Sequence, residues 1–370
     1  MIIGIPKEIK AQENRVAAIP PSVALFTAAG HTVLVQRGAG EGSGFSDGEY
    51  LSAGARVVDT AAEVYASADM IYKVKEPLEP EYGLLREGQI VFAYLHLAPD
   101  PAQTKALMDA KVSGVAFETV QLANGSLPLL APMSEVAGRL APQIGASLLQ
   151  KINNGSGILL GGVPGVAPGH VVIVGAGTVG TGAARIAAGL GARVTVLDVS
   201  VERLARIEEL LAGQVETLMS NSQNIAASVT HADLLVGAVL VAGAKAPVLV
   251  TEEMVKTMRQ GSVIVDIAID QGGIAETIDH ATSHQDPYYI RHGVVHYSVP
   301  NIPGAVPRTS TLALSNATTP YALKIADKGL EQAMREDPAL FKGLNTYKGR
   351  IACAAVAAAQ DLAYEPAALT

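Results

Sequence analysis

Five polar residues stand where a chain of this kind can do chemistry. Arg15 follows the first apolar run, IIGIP. Lys75 follows DMIYKV, His96 lies at the end of QIVFAYLHL, Asp270 follows SVIVDIAI and Asn301 comes after VVHYSV. Each run reads as a strand, and in parallel α/β sheets ligands bind beyond the carboxyl ends of strands. The set suits an amino acid or a keto acid. Arg15 can grip a carboxylate through two parallel N–H donors. Lys75 can hold the same carboxylate or polarise a carbonyl. His96 can carry the proton at a keto or hydroxyl oxygen. Asp270 can position and activate water or ammonia. Singly, each has an ordinary reading: Arg15 and Lys75 as solvated surface charges, His96 as a satisfied core histidine, Asp270 as the cap of a turn. Their shared placement at strand ends favours the chemical reading.

A second constellation is Gly175-Ala176-Gly177-Thr178-Val179-Gly180, which fits G-x-G-x-x-G. Alone the pattern is weak, because chains rich in Ala and Gly produce it by chance. Here the buried-type run VVIV precedes it, an Ala-rich helix follows, and the next strand, RVTVL, ends in Asp198. Gly175 allows a tight turn, Gly177 lets backbone approach a pyrophosphate, and Gly180 lets helix and strand pack closely. The helix N-terminus offers N–H groups and a positive dipole end to phosphate. Asp198 can accept hydrogen bonds from a ribose diol.

These residues need a framework of alternating strands and helices, and the first 120 residues supply one. IIGIP, HTVLVQ, DMIYKV, QIVFAYLHL and GVAFETV read as strands; PSVALFTAAG, AAEVYASA and PAQTKALMDAKV read as helices. Such alternation implies an α/β fold, a parallel sheet covered on both faces. A boundary falls near Gln121–Pro132, and Ser134 with Glu135 is expected to cap a helix running toward Asn153. After a glycine-rich loop, Gly155–Gly169, the alternation restarts with VVIVG, RVTVLD, VETLMS, DLLVGAVL, SVIVDIAI and VVHYSV as strands. The stretch from about Pro303 reads as mostly helical and is expected to return to the first domain. That makes residues 1–130 with 305–370 a discontinuous substrate domain and 131–304 a dinucleotide domain. Arg15, Lys75 and His96 would face Asp270 and Asn301 across a cleft.

Composition narrows the function. A chain of 370 residues is too long for one ordinary core. The net charge of −8 disfavours nucleic acid and anionic lipid as partners. The single cysteine, Cys353, rules out an internal disulfide and any paired-cysteine metal site. No signal peptide or membrane span is read, so a cytoplasmic location is expected. Asp279, His280, His284 and Asp286 lack the helical spacing of a ligand set, so we read a polar loop and no metal, with Tyr288 and Tyr289 as its anchors.

With these residues in hand, the chain resembles the bacterial alanine dehydrogenases over nearly its whole length. The blocks that carry the resemblance are IGIPKEIK with ENRVA, YKVKEP, AYLHLA, APMSEVAGR, GGVPGV, VVIVGAGTVG, VDIAIDQGG and PGAVPRTSTLALSNAT. Similar blocks occur in the NAD-binding subunit of nicotinamide nucleotide transhydrogenase. The resemblance implies two Rossmann-like doubly wound domains, the substrate domain being built from both chain ends. It implies reversible conversion of L-alanine, NAD and water to pyruvate, ammonia and NADH. On matching positions, Arg15 and Lys75 would bind the substrate and His96 and Asp270 would be catalytic. Met133 would sit near the substrate methyl. Ser134, Gly175, Gly177, Thr178, Val179, Gly180, Asp198, Arg203, Ser220, Val239, Leu240, Ile267 and Asn301 would line the NAD site, Asn301 also reaching the substrate. Members are often homohexamers. Two positions depart from the pattern. Pro300 of Val299-Pro300-Asn301-Ile302-Pro303 stands where V-A-N-M-P is common and has no N–H to offer nicotinamide. Asp279 stands near a position where some members have Arg. Competing readings are a related small amino-acid dehydrogenase, a glyoxylate-aminating enzyme, and an NAD-binding transhydrogenase-type subunit, which would not need the four substrate-site residues.

Overall fold

The alternation of β-branched runs with helical stretches builds two sheets, each from its own part of the chain. A computed structural model describes residues 1–239 and 246–369. Along the chain the strands are β1 (Ile2–Ile5), β2 (Thr32–Gln36), β3 (Arg56–Val58), β4 (Met70–Tyr72), β5 (Ile90–Ala93) and β6 (Ser113–Ala116); then β7 (His170–Val174), β8 (Arg193–Asp198), β9 (Glu216–Met219), β10 (Leu234–Gly237), β11 (Val263–Asp266), β12 (Tyr288–Arg291) and β13 (Val294–Tyr297); last come β14 (Leu344–Tyr347) and β15 (Arg350–Ile351). The chain divides into two units, Met1–Met133 with Val306–Thr370, and Ser134–Ala305.

The first unit orders its strands β3-β2-β1-β4-β5-β6-β14-β15, the first six parallel. The second orders them β9-β8-β7-β10-β11-β13-β12, parallel except for β12. Counting only the parallel strands of each unit, each sheet runs 3-2-1-4-5-6, the doubly wound order. The inner strands β4, β5, β7, β10 and β11 are buried along their whole length, as strands covered by helices on both faces must be. The strand order reverses between β1 and β4 in one sheet and between β7 and β10 in the other. At these switch points crossovers leave in opposite directions and open a crevice at the carboxyl edge.

Several elements differ from the sequence reading. β5 stops at Ala93 instead of continuing through His96. Tyr94 N–H still reaches the Val74 carbonyl, but Leu95 and His96 turn their N–H groups to the Glu118 carboxylate, His96 at 2.7 Å. β11 stops at Asp266, and Ile267–Gln271 form a 3₁₀ turn. The long helix runs Ala131–Leu148, so Ser134 lies inside its first turn and does not cap it. Pro132 sits in that first turn, where proline is tolerated because first-turn N–H groups lack partners anyway. The C-terminal stretch is helical over Pro307–Lys328, Leu330–Glu336 and Pro338–Lys342. It then adds the hairpin β14–β15, which the sequence reading missed together with β3 and β12. Lys348 and Gly349, at φ +49° and +80°, form its turn, the left-handed pair that two-residue hairpins require. β14 pairs antiparallel with β6, so the sheets are mixed rather than wholly parallel.

Candidate active site

In the first unit, four cations and four acids gather around the β1–β4 switch point. Glu8 follows β1, and Lys73 and Lys75 follow β4. Lys73 is 1 % exposed and donates to both Glu81 oxygens at 2.7 Å; its Nζ also lies 3.7 Å from Glu8 Oε2. Glu76 pairs with Lys10. Arg15 is only 2 % exposed, so it is no surface charge. Its Nε and Nη2 donate to Glu13 Oε1 and Oε2 at 2.7 and 2.5 Å, and Nη1 lies 3.1 Å from Met133 Sδ. Burial alone would raise the Glu13 carboxyl; the bonds and charge of Arg15, with Lys75 beyond, hold it below its ordinary value. The Nε–Nη2 edge of Arg15 thus holds Glu13, an internal carboxylate. Lys75 is half-buried, and its charge also lowers Glu76.

His96 is exposed at a left-handed backbone position, φ +48°. It is thus not a core histidine. Non-glycine residues rarely adopt this conformation, and they cluster where function fixes it. The two N–H bonds to Glu118 hold the bend, and Tyr94, its hydroxyl on the Leu129 carbonyl, stacks 6.0 Å from the imidazole.

In the second unit the glycine turn has the geometry its pattern requires. Gly175 sits at φ +109°, and a methyl group there would lie 2.5 Å from the Ala238 carbonyl oxygen beyond β10. A methyl on Gly180 would lie 1.7 Å from the Gly175 oxygen. Gly177 by contrast faces open space. It precedes the helix Thr178–Gly189, whose N-terminus no side chain caps among the described residues. Thr178 is exposed and Val179 buried. The long helix crosses close by: a methyl on Gly138 would lie 2.2 Å from the Val179 oxygen. Ser134, one turn earlier, shares that face. Asp198 ends β8 and is 6 % exposed. Its Oδ2 accepts from Ala176 N–H at 2.6 Å and its Oδ1 from Ser200 N–H at 2.8 Å. Ser220 N–H donates to the Asp198 carbonyl, and Arg203 Nη1 stands 3.8 Å from the carboxylate. An uncapped helix N-terminus, an open glycine and an anchored strand-end carboxylate fit a dinucleotide.

The Asp270 turn is built by another residue. Asp266 is fully buried; it accepts from Ala268 N–H at 3.0 Å, Ile274 N–H at 2.6 Å and Ala275 N–H at 3.3 Å. Burial nevertheless keeps its carboxyl raised. Asp266 is the cap, and Asp270 is displayed, exposed, with no hydrogen bond or ion pair from its carboxylate among the described residues. Ile267 and Val239 lie against the two core layers of this unit. Asn301, after Pro300, takes φ +59°, and its carbonyl accepts from Gly304 N–H. Leu240 lies outside the described residues. In the polar loop, Asp279 pairs with His280 and Arg291, and Tyr289 packs between His280 and His296 with its hydroxyl on the Thr277 carbonyl. Among the described residues no three potential ligands form a metal cluster. No helix there is long and apolar enough to cross a membrane.

Models of the alanine dehydrogenase/PNT family match both parts of the sequence, the N-terminal domain over residues 4–137 and the C-terminal domain over 141–354. The chain belongs to the alanine dehydrogenase/PNT family. Alanine dehydrogenase of Methanococcus maripaludis is 61 % identical over 367 residues, 99 % of this chain and 98 % of that protein. Alanine dehydrogenase 2 of Staphylococcus aureus is 58 % identical over 365 residues, again 99 % and 98 %. A solved L-alanine dehydrogenase superposes with TM-score 0.95 at 53 % identity, covering 98 % of this chain and all of that one. A transhydrogenase from Sinorhizobium meliloti gives 0.81 at 26 % identity, covering 96 % and 100 %. Within this alanine dehydrogenase/PNT chain, the residues that sequence reasoning missed are acids: Glu8, Glu13, Glu118 and Asp266. Glu8 and Glu118 act on groups distant in the sequence, whereas Glu13 and Asp266 act on groups as near as two residues away.

Proposed function

We propose that the chain is an NAD-dependent L-alanine dehydrogenase, converting L-alanine and water reversibly to pyruvate and ammonia. Residues 1–130 with 305–370 handle the substrate and 131–304 handle NAD. The observation that carries this reading is the pairing of buried Arg15 with half-buried Lys75 at the first switch point, in a chain 61 % identical to an alanine dehydrogenase over nearly its full length. NAD bound at the glycine turn supplies the hydride acceptor for the substrate Cα–H. The chain's residues do the rest. Arg15 and Lys75 hold the carboxylate, with Met133 beside the methyl. Asp270 holds the water that adds to the imine carbon and accepts its proton. His96 takes the proton of the resulting hydroxyl while Asp270 returns its proton to the amine nitrogen, so that the carbinolamine collapses to ketone and ammonia. Asp198 orients the adenosine ribose; Ser134, Thr178, Val179, Arg203, Ser220, Val239, Ile267 and Asn301 line the dinucleotide.

The test is NADH formation with a panel of L-amino acids, and NADH oxidation with pyruvate or glyoxylate plus ammonia. We expect alanine and pyruvate to give the highest kcat/KM. A better value for a larger amino acid or for glyoxylate would overturn the substrate assignment, and no turnover with any would overturn the class. We further propose a homohexamer in the cytoplasm; a stable monomer by light scattering would refute the assembly.

A further inference from the structure

At a switch point the two central strands part, and the backbone beyond their ends loses its partner. β1 and β4 pair only as far as Gly4 with Ile71. On the β5 side the chain past β4 remains engaged, Lys73 N–H donating to the Phe92 carbonyl and the Val74 carbonyl accepting from Tyr94. On the β1 side no strand is left for the N–H groups of Val74 and Lys75. The Glu8 side chain takes the strand's place: its Oε1 accepts from Val74 N–H at 2.6 Å and Lys75 N–H at 3.3 Å. Glu8 is buried, and its Oε2 makes no hydrogen bond, facing Lys73, which is committed to Glu81. An acid in this setting is costly to hold, since burial, with Glu13 and Glu81 nearby, outweighs Lys73 and lifts the carboxyl to about 7. A hydrophobic residue would be cheaper there, were the backbone bonds not required.

We infer that Glu8 is a positioning residue for substrate binding: its Oε1 fixes the backbone that presents Lys75 at the switch point. The inference rests on the reading of Lys75 as a substrate-carboxylate ligand. Glu8→Ala removes the acceptor; Glu8→Gln keeps an oxygen acceptor without the charge. KM for pyruvate should rise at least about tenfold in Glu8→Ala, the scale of leaving the Val74 and Lys75 N–H groups without this acceptor. NADH affinity by fluorescence titration should be unchanged, and Glu8→Gln should restore KM to within about threefold. In the double variant Glu8→Ala/Lys75→Ala, KM should match that of Lys75→Ala alone, since Glu8 acts through Lys75. Additive effects, or a Gln variant as impaired as Ala, would overturn the inference. Calorimetric pyruvate binding to wild type and both Glu8 variants supplies the same comparison without turnover. Wild type that binds pyruvate without reducing it sinks the function while this comparison still decides Glu8; wild type that neither binds nor reduces pyruvate sinks both.

Discussion

Exchanging each aspartate of the Asp266–Asp270 turn for asparagine separates holding a turn from doing chemistry. In Asp266→Asn the Oδ1 bond to Ala268 N–H survives, but the new NH₂ faces the N–H groups of Ile274 and Ala275, which now donate to Oδ2. Two buried donors lose their acceptor, at about 1–3 kcal/mol each. The buried carboxyl is itself raised, so some of its ionised cost is recovered. A net loss of about 2–4 kcal/mol results, which for a domain of this size lowers Tm by roughly 5–15 °C. Asp270→Asn changes an exposed side chain with no partner among the described residues, so stability should move by no more than about 0.5 kcal/mol. Its kcat should fall at least about 100-fold, with NADH affinity intact. Calorimetric Tm and steady-state kcat on the same preparations decide the matter. If Asp270→Asn keeps kcat within about threefold, or lowers Tm more than Asp266→Asn does, the division of roles is wrong.

The geometry carries three other expectations. The Asp198 carboxylate repels a 2′-phosphate, so NAD should be preferred over NADP and Asp198→Ser should narrow the kcat/KM ratio; equal values for the two cofactors in wild type refute the assignment. Gly180→Ala, with its methyl 1.7 Å from the Gly175 oxygen, should lower both NADH affinity and Tm, whereas Gly177→Ala, in open space, should weaken NADH binding at unchanged Tm; a Gly177 variant binding NADH normally would place the pyrophosphate elsewhere. The folded chain keeps the Glu8 proton up to about pH 7 and the unfolded chain releases it near 4.5, so stability falls as pH rises through that window, by about 3 kcal/mol at most. Glu8→Gln lacks this titration, so its Tm relative to wild type should climb from pH 5 to pH 8; a difference independent of pH refutes it.

The sequence showed most clearly the features that local sterics dictate. The glycine turn was legible because Gly175, Gly180 and their neighbours constrain one another within a few residues. The strand-end filter singled out Arg15, Lys75, His96 and Asp270 as candidates because the carboxyl edge of a parallel sheet exposes the residues just past each apolar run. It could not see acids acting from a distance. The run Tyr94–Leu97 is apolar enough to prolong β5, yet Glu118 draws its backbone away. Asp270 resembled a turn cap because the true cap, Asp266, is buried at the end of an apolar strand, where an acid reads as an interruption. β14 escaped notice because four residues carry too little periodicity, though the Lys348–Gly349 turn pointed to a hairpin.

The pairing of β14 with β6 has a consequence for the newborn chain. Strand β6 emerges from the ribosome long before Leu344–Tyr347 is made, and in the interval it is a bare outer edge, open to pairing with whatever strand arrives first. The second unit, contiguous in sequence, can complete its sheet while synthesis continues. The first cannot be sealed until Leu344–Tyr347 has been added. Translation that stalls between the two units' completion should therefore leave one finished sheet and one adhesive one, and a chain cut short before Leu344 should aggregate rather than merely lose a hairpin.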